Sequence, residues 1–95
     1  MAYRLAPAAD LDLDDIYDFG FVEFGMELAD TYLDGLIACF SFLSENPEVA
    51  RQRHEVRPPV RAHPHRSHVV VYEVNDNRDV LILRVHHSRA NWLDL

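Results

Sequence analysis

The sequence has no lysine, a single cysteine and only three glycines among its 95 residues. Cys39 alone can make neither an internal disulfide nor a multi-thiolate zinc site. Set among apolar neighbours, it reads as a small buried hydrophobe. No stretch approaches the roughly 18 consecutive apolar residues of a membrane span, and Met1-Ala2-Tyr3-Arg4-Leu5 lacks the apolar region of a secretory signal. A cytoplasmic protein without a membrane partner is expected. The missing lysines leave arginine as the only strong cation. Nine basic groups stand against sixteen acidic ones, for a net charge of −7, which argues against the large basic field of a general nucleic-acid binder.

What is present points to one small domain, residues 1–95, because 95 residues with 48% hydrophobic content fill one core and not two. A chain of this size buries only about 60–65% of the surface that its unfolded form exposes. A bound partner would raise its thin stability margin. Charge divides the chain sharply. Residues 1–50 hold 11 acids and one cation, Arg4, whereas residues 51–95 hold 8 arginines and 5 acids. Arginine forms planar, bidentate pairs with carboxylates that lysine cannot form, so the second half suits the grip of an acidic protein segment.

Tyr3 and Leu5 alternate with Ala2 and Arg4 as in a short strand, ended by Pro7. Pro7 also suits the first turn of a helix. Asp10, Asp12, Asp14 and Asp15 lie near the positive end of that helix, and Leu13, Ile16, Tyr17, Phe19 and Phe24 supply its apolar face. Gly20 is expected to interrupt it and Gly25 to close it as a left-handed cap. A second helix is predicted from Met26 to Glu45. There Ala29, Tyr32, Leu33, Leu36, Phe40 and Leu43 form one stripe at the helical period, and Asn46-Pro47 stops it. Glu48 to Pro59 reads as a loop. Val60 to His63, Ser67 to Val74 and Asp79 to His87 read as three strands in a meander, with Asn75-Asp76-Asn77 as a turn. The expected fold is α+β: an N-terminal strand and an antiparallel helical hairpin packed on a small, mostly antiparallel sheet.

In that order the segments resemble the ParE branch of the RelE/ParE toxin superfamily. The resemblance is carried by Leu5-Ala6-Pro7-Ala8-Ala9 with Asp14-Asp15-Ile16-Tyr17, by Phe24-Gly25, and by Ala29-Asp30-Thr31-Tyr32-Leu33. It continues through Asn46-Pro47-Glu48, Val60-Arg61, His68-Val69-Val70-Val71-Tyr72 and Leu83-Arg84-Val85-His86-His87-Ser88-Arg89. Departures are Ala6 where a Ser cap is common, Ala50 and Pro59 where Gly is usual, and Ser88 for a frequent Gly. The resemblance implies the toxin of a type II toxin–antitoxin pair. Such a toxin inhibits DNA gyrase by protein binding, is neutralised by a ParD-like antitoxin, and meets nucleic acid only indirectly, through that antitoxin.

Under this reading Arg57, Arg61, Arg66 and Arg84 are candidates for antitoxin carboxylates, with Tyr72 and Val70 or their opposite-face neighbours as apolar anchors. For each arginine, solvation or internal pairing with the acidic half is the competing role. His87, Arg89 and Trp92 are the candidates for the gyrase contact, with Trp92 as cover for the core edge the alternative. Strict alternation puts Val80, Ile82, Arg84 and His86 on one face and Leu81, Leu83, Val85 and His87 on the other. No cofactor and no catalytic residue is assigned. The RelE branch implies an alternative, mRNA cleavage at the ribosome, for which Arg61, Arg66, Arg84, His86, His87 and Arg89 are the available groups. Against it stand the missing lysines, the net negative charge and the lack of a tyrosine after Tyr72. A third reading is a non-toxic binding module that kept the fold. His63-Pro64-His65-Arg66-Ser67-His68 invites a metal, but no carboxylate or thiol lies inside the run and Arg66 would repel a cation, so no metal is assigned.

Overall fold

The computed structural model describes residues 2–90 and 92. Strand β1 (Tyr3–Leu5) leads into helix α1 (Pro7–Phe24) and helix α2 (Met26–Glu45). Strands β2 (Gln52–Arg53), β3 (Val60–His65), β4 (His68–Val74) and β5 (Val80–His87) follow. They form one sheet in the order β1-β5-β4-β3-β2, with β1 parallel to β5 and every other pair antiparallel. The α+β architecture is the one expected. Two local readings change. The segment read as a loop holds the two-residue edge strand β2, and β3 runs two residues further than expected, through Pro64 to His65. Pro64 is tolerated because β2 pairs with β3 only at Val60 and Arg61, leaving Pro64 on an open edge.

Both helices pack on one face of the sheet. Ala9 and Leu13 of α1 and Leu36, Cys39, Phe40 and Leu43 of α2 meet Val70, Tyr72, Val80, Ile82 and Val85 in one core cluster. Fully burying a Leu- or Phe-sized side chain contributes about 1.5–3 kcal/mol, so the α2 stripe is the main adhesive between the layers. The Tyr72 hydroxyl donates to the Pro47 carbonyl at 2.9 Å, tying β4 to the chain just past α2.

The glycines behave differently from their sequence reading. α1 passes through Gly20 unbroken, and Gly20 faces Ala29 across the hairpin in a small-on-small contact. Gly25 has φ 92° and ψ 167°, an extended positive-φ conformation and not the left-handed helical one. Its N–H donates to the Phe21 carbonyl and its own carbonyl accepts from Ala29, so one residue ends α1 and starts α2. Only Leu13 among the expected apolar residues of α1 is buried. Ile16 and Tyr17 are half-buried, while Phe19 and Phe24 are exposed.

A bulge corrects the expected alternation in β5. Val71 pairs with Arg84 and Tyr72 with Ile82, leaving Leu83 extra. The extra residue returns Val85 to the helix side with Val80 and Ile82. Arg84 and His86 thereby fall on the open face, opposite Val71 and Val69.

Candidate functional site

The sheet register sorts the site candidates by face. On β3, Arg61, His63 and His65 pair with Tyr72, Val70 and His68 and share the helix side. His68 pairs with His87, which brings His65, His68 and His87 together at one end of the sheet. Tyr32 arrives there from α2. Its hydroxyl lies 2.6 Å from Nδ1 of His68, and its ring meets those of His65 and His68 with centroids 6.0 and 5.4 Å away. The rings of His68 and His87 are 5.4 Å apart, edge to face. Burial first, then the neighbouring Arg66 and His63 for one and the neighbouring imidazoles for the other, pushes His65 and His68 below the ordinary histidine range, and burial pushes the Tyr32 phenol up. Nε2 of His65 is buried without a hydrogen-bond partner. Among the described residues no three His, Cys, Asp or Glu side chains are arranged to hold a metal ion.

The arginines do not converge. Arg57 is exposed in the segment between β2 and β3, and Arg66 is exposed at the β3–β4 turn with φ 53°. Neither forms an ion pair among the described residues. Arg61 is half-buried and donates from Nη1 to the Ala50 carbonyl. Two expectations are corrected. Tyr72 is fully buried with its hydroxyl satisfied inside the fold, so it offers no surface to a partner; its neighbour Val70 is equally buried. Arg84 is occupied internally: its Nε and Nη2 donate to Asp12 of α1 at 2.8 and 3.1 Å, and the same carboxylate raises the guanidinium pKa. The internal pairing with the acidic half weighed for the arginines is thus the one that Arg84 makes.

The end of β5 is straddled by the remaining candidates. His87 and Arg89 are exposed, and the Arg89 backbone N–H donates to Nδ1 of His87 at 3.1 Å. Trp92 stacks on His86, with centroids 6.0 Å apart and planes 10° from parallel. His86 belongs to the open face and His87 to the helix side, so Trp92 and His87 meet solvent on opposite sides of the strand. Asn91, between them, lies outside the described residues.

Sequence reasoning missed Asp12, Tyr32, His65 and His86 as partners of these groups. For His65 a signal existed: in a two-residue β3–β4 turn, His65 and His68 face each other by register. Nothing in the local sequence marks Asp12, which meets Arg84 across 72 positions.

A family model described as "ParE toxin of type II toxin-antitoxin system, parDE" matches residues 3–92. The chain is 32% identical to "Toxin ParE1" of Mycobacterium tuberculosis over 89 residues, covering 94% of this chain and 91% of that one. It is 35% identical to "Toxin ParE1" of Caulobacter vibrioides over the same length and shares. Among solved structures, the chromosomal ParDE system from P. aeruginosa superposes with a TM-score of 0.78 at 26% identity, covering 92% of this chain and 95% of that chain.

Proposed function

The chain belongs to the ParE toxin family of type II toxin–antitoxin systems, and we propose that it arrests growth by binding DNA gyrase and is held silent by a ParD-like antitoxin. One observation carries the gyrase reading. The end of β5 presents His87 and Arg89 to solvent, and on the other side of the strand half-buried Trp92 is braced on His86. Aromatic and arginine side chains are the types that most often dominate protein interfaces. The toxin needs no chemistry of its own in this scheme; it acts as a protein ligand.

For the antitoxin, Arg57 and Arg66 are the candidate arginines that are exposed and form no ion pair among the described residues, and Arg61 is half-buried beside its Ala50 contact. They are spread over the β2–β3–β4 side of the molecule. An extended acidic segment that wraps the sheet meets all three more readily than a compact domain does.

A second reading, RNA cleavage, is favoured by the facing imidazoles of His68 and His87 with the Tyr32 hydroxyl beside them. Paired imidazoles can supply the acid and the base of a metal-independent phosphodiester cleavage. Expression of the chain alone in bacteria separates the readings. Growth arrest with a DNA-damage response, relieved by antitoxin co-expression, supports gyrase. Cleaved message without DNA damage overturns it, and normal growth with soluble protein indicates a non-toxic module.

A further inference from the structure

The turn between β3 and β4 and the end of β5 form one edge of the molecule. Register sets His68 against His87, and the Ser88 N–H donates to the Ser67 carbonyl at 2.8 Å. Arg66, Ser67, His87, Ser88 and Arg89 are exposed there, with His65 and His68 half-buried behind them. Acids are missing from this edge. The chain has sixteen, yet none lies from Val60 to Tyr72 or from Val80 to Leu93. Among the described residues no carboxylate forms an ion pair with Arg66, Arg89 or a histidine of the edge. The charged neighbours that act on His65 and His68 are Arg66 and other imidazoles, all cationic when charged. Two hydrogen bonds fix what the rings offer. The Arg89 backbone N–H donates to Nδ1 of His87, which places that ring's proton on Nε2. Burial keeps the Tyr32 phenol protonated, and its O–H donating to Nδ1 of His68 leaves the His68 proton on Nε2 as well. The two rings lie 5.4 Å apart and 74° from parallel, and each keeps one N–H donor without an acceptor among the described residues.

We propose that this edge binds a phosphate dianion, either inorganic phosphate or the terminal phosphate of a nucleotide, through Arg66, Ser67, His68, His87 and Ser88. The proposal goes beyond the gyrase and antitoxin readings and rests on neither. Charge selects the ligand first. A cluster of like-signed groups without a carboxylate repels a metal ion and gains from an anion. Shape selects it next. A carboxylate is matched best by the planar fork of an arginine, and Arg66 is the one arginine in the turn. Here the other donors are ring N–H groups from two strands, set in planes far from parallel, with the hydroxyls of Ser67 and Ser88 at the rim. Such donors suit a tetrahedral anion whose oxygens point in several directions. Proton affinity agrees with shape. A phosphate monoester loses its second proton at about pH 6, next to the ordinary imidazole value of about 6.5, so ligand and rings can share a proton at little cost.

Arg66 is also one of the arginines open to the antitoxin, so the test uses the free chain. Imidazole ring signals are followed by NMR at about pH 7 during titration with inorganic phosphate, adenosine 5′-monophosphate and, as the carboxylate control, acetate. The expected result is a saturable shift of the His68 and His87 rings with both phosphates and none with acetate. Both rings should also titrate at higher pH in the bound form, because a bound anion favours the charged imidazole. His87→Gln and Arg66→Gln should each weaken binding by about fivefold or more. Both side chains are exposed, so these variants should melt with the wild-type chain, and the wild-type ring shifts locate the ligand even if they do not. Arg4→Gln, exposed on β1 beside the opposite end of β5, should bind as the wild type does. Tighter binding of the monophosphate supports a nucleotide as the source, and tighter binding of inorganic phosphate supports the free anion. An equal response to acetate overturns the proposal in favour of a carboxylate. No saturable shift with either phosphate, or a shift that neither His87→Gln nor Arg66→Gln weakens, overturns the site and leaves the gyrase reading untouched.

Discussion

The carboxylate of Asp12 accepts hydrogen bonds from Nε and Nη2 of Arg84 and, at 2.9 Å, from the backbone N–H of Val85. Pairing between β1 and β5 ends at Ile82. Beyond it, one acid from α1 does the work of a neighbouring strand. Asp12→Ala removes all three bonds and leaves the Val85 N–H without a partner, so it should destabilise by about 2 kcal/mol. In a domain of this size that lowers Tm by roughly 4–8 °C per kcal/mol. Asp12→Asn keeps an acceptor for Val85 and should lose about half as much. Arg84→Gln should cost less than Asp12→Ala, since the ion pair is part-exposed and screened. Thermal melts by circular dichroism rank the three, and a harmless Asp12→Ala would contradict this role.

A pH dependence follows from the histidine cluster. The folded protein holds His65 and His68 below their ordinary range, whereas the unfolded chain titrates near pH 6.5. Below that value the unfolded state takes up protons that the folded state resists, so unfolding becomes easier as pH falls, and stability is complete above about pH 7. Tm should decline between pH 7.5 and 5.5. Nε2 of His65 is buried without a partner, so His65→Leu should be neutral or stabilising at pH 7.5 and should flatten the decline. A steeper decline in His65→Leu would refute the assignment.

Tyr72→Phe keeps the buried ring and deletes only the hydroxyl that meets the Pro47 carbonyl. The expected loss is about 1 kcal/mol, with the carbonyl left unsatisfied. Urea denaturation should show a lower midpoint at an unchanged slope.

Gly25→Ala tests the hinge of the hairpin. A side chain meets no atom within 4 Å, but φ 92° strains any residue that carries one. The cost should be about 1–3 kcal/mol. Because this end lies outside the core cluster, faster hydrogen exchange confined to residues 18–30 is expected along with any change in Tm.

The sequence made the fold legible where one signal repeated itself. The helical period of Leu36, Phe40 and Leu43 gave α2 its ends and its buried face, and the valine runs gave β4 and β5. It misled where one residue shifts the pattern. The extra Leu83 in β5 reverses which side Val85 and Arg84 take, and no propensity marks a bulge. Phe19 and Phe24 look like core at helical spacing, yet no sheet lies beneath them, because α1 outruns the strands it packs on. Tyr72 reads as an accessible aromatic on a β-rich run, but register sets it opposite Ile82 under both helices. Side-chain pairs such as Asp12 with Arg84 come from tertiary approach alone.

The end of β5 remains the center of the functional claim, and purified DNA gyrase tests it most directly. The chain should inhibit supercoiling in a dose-dependent way, the antitoxin should relieve the block, and Arg89→Ala or Trp92→Ala should weaken it by about tenfold or more with antitoxin affinity kept. Supercoiling that proceeds unchanged at toxin levels sufficient to arrest growth would contradict the gyrase reading. Loss of antitoxin binding by Arg89→Ala with gyrase inhibition intact would show that the surfaces have been assigned the wrong way round.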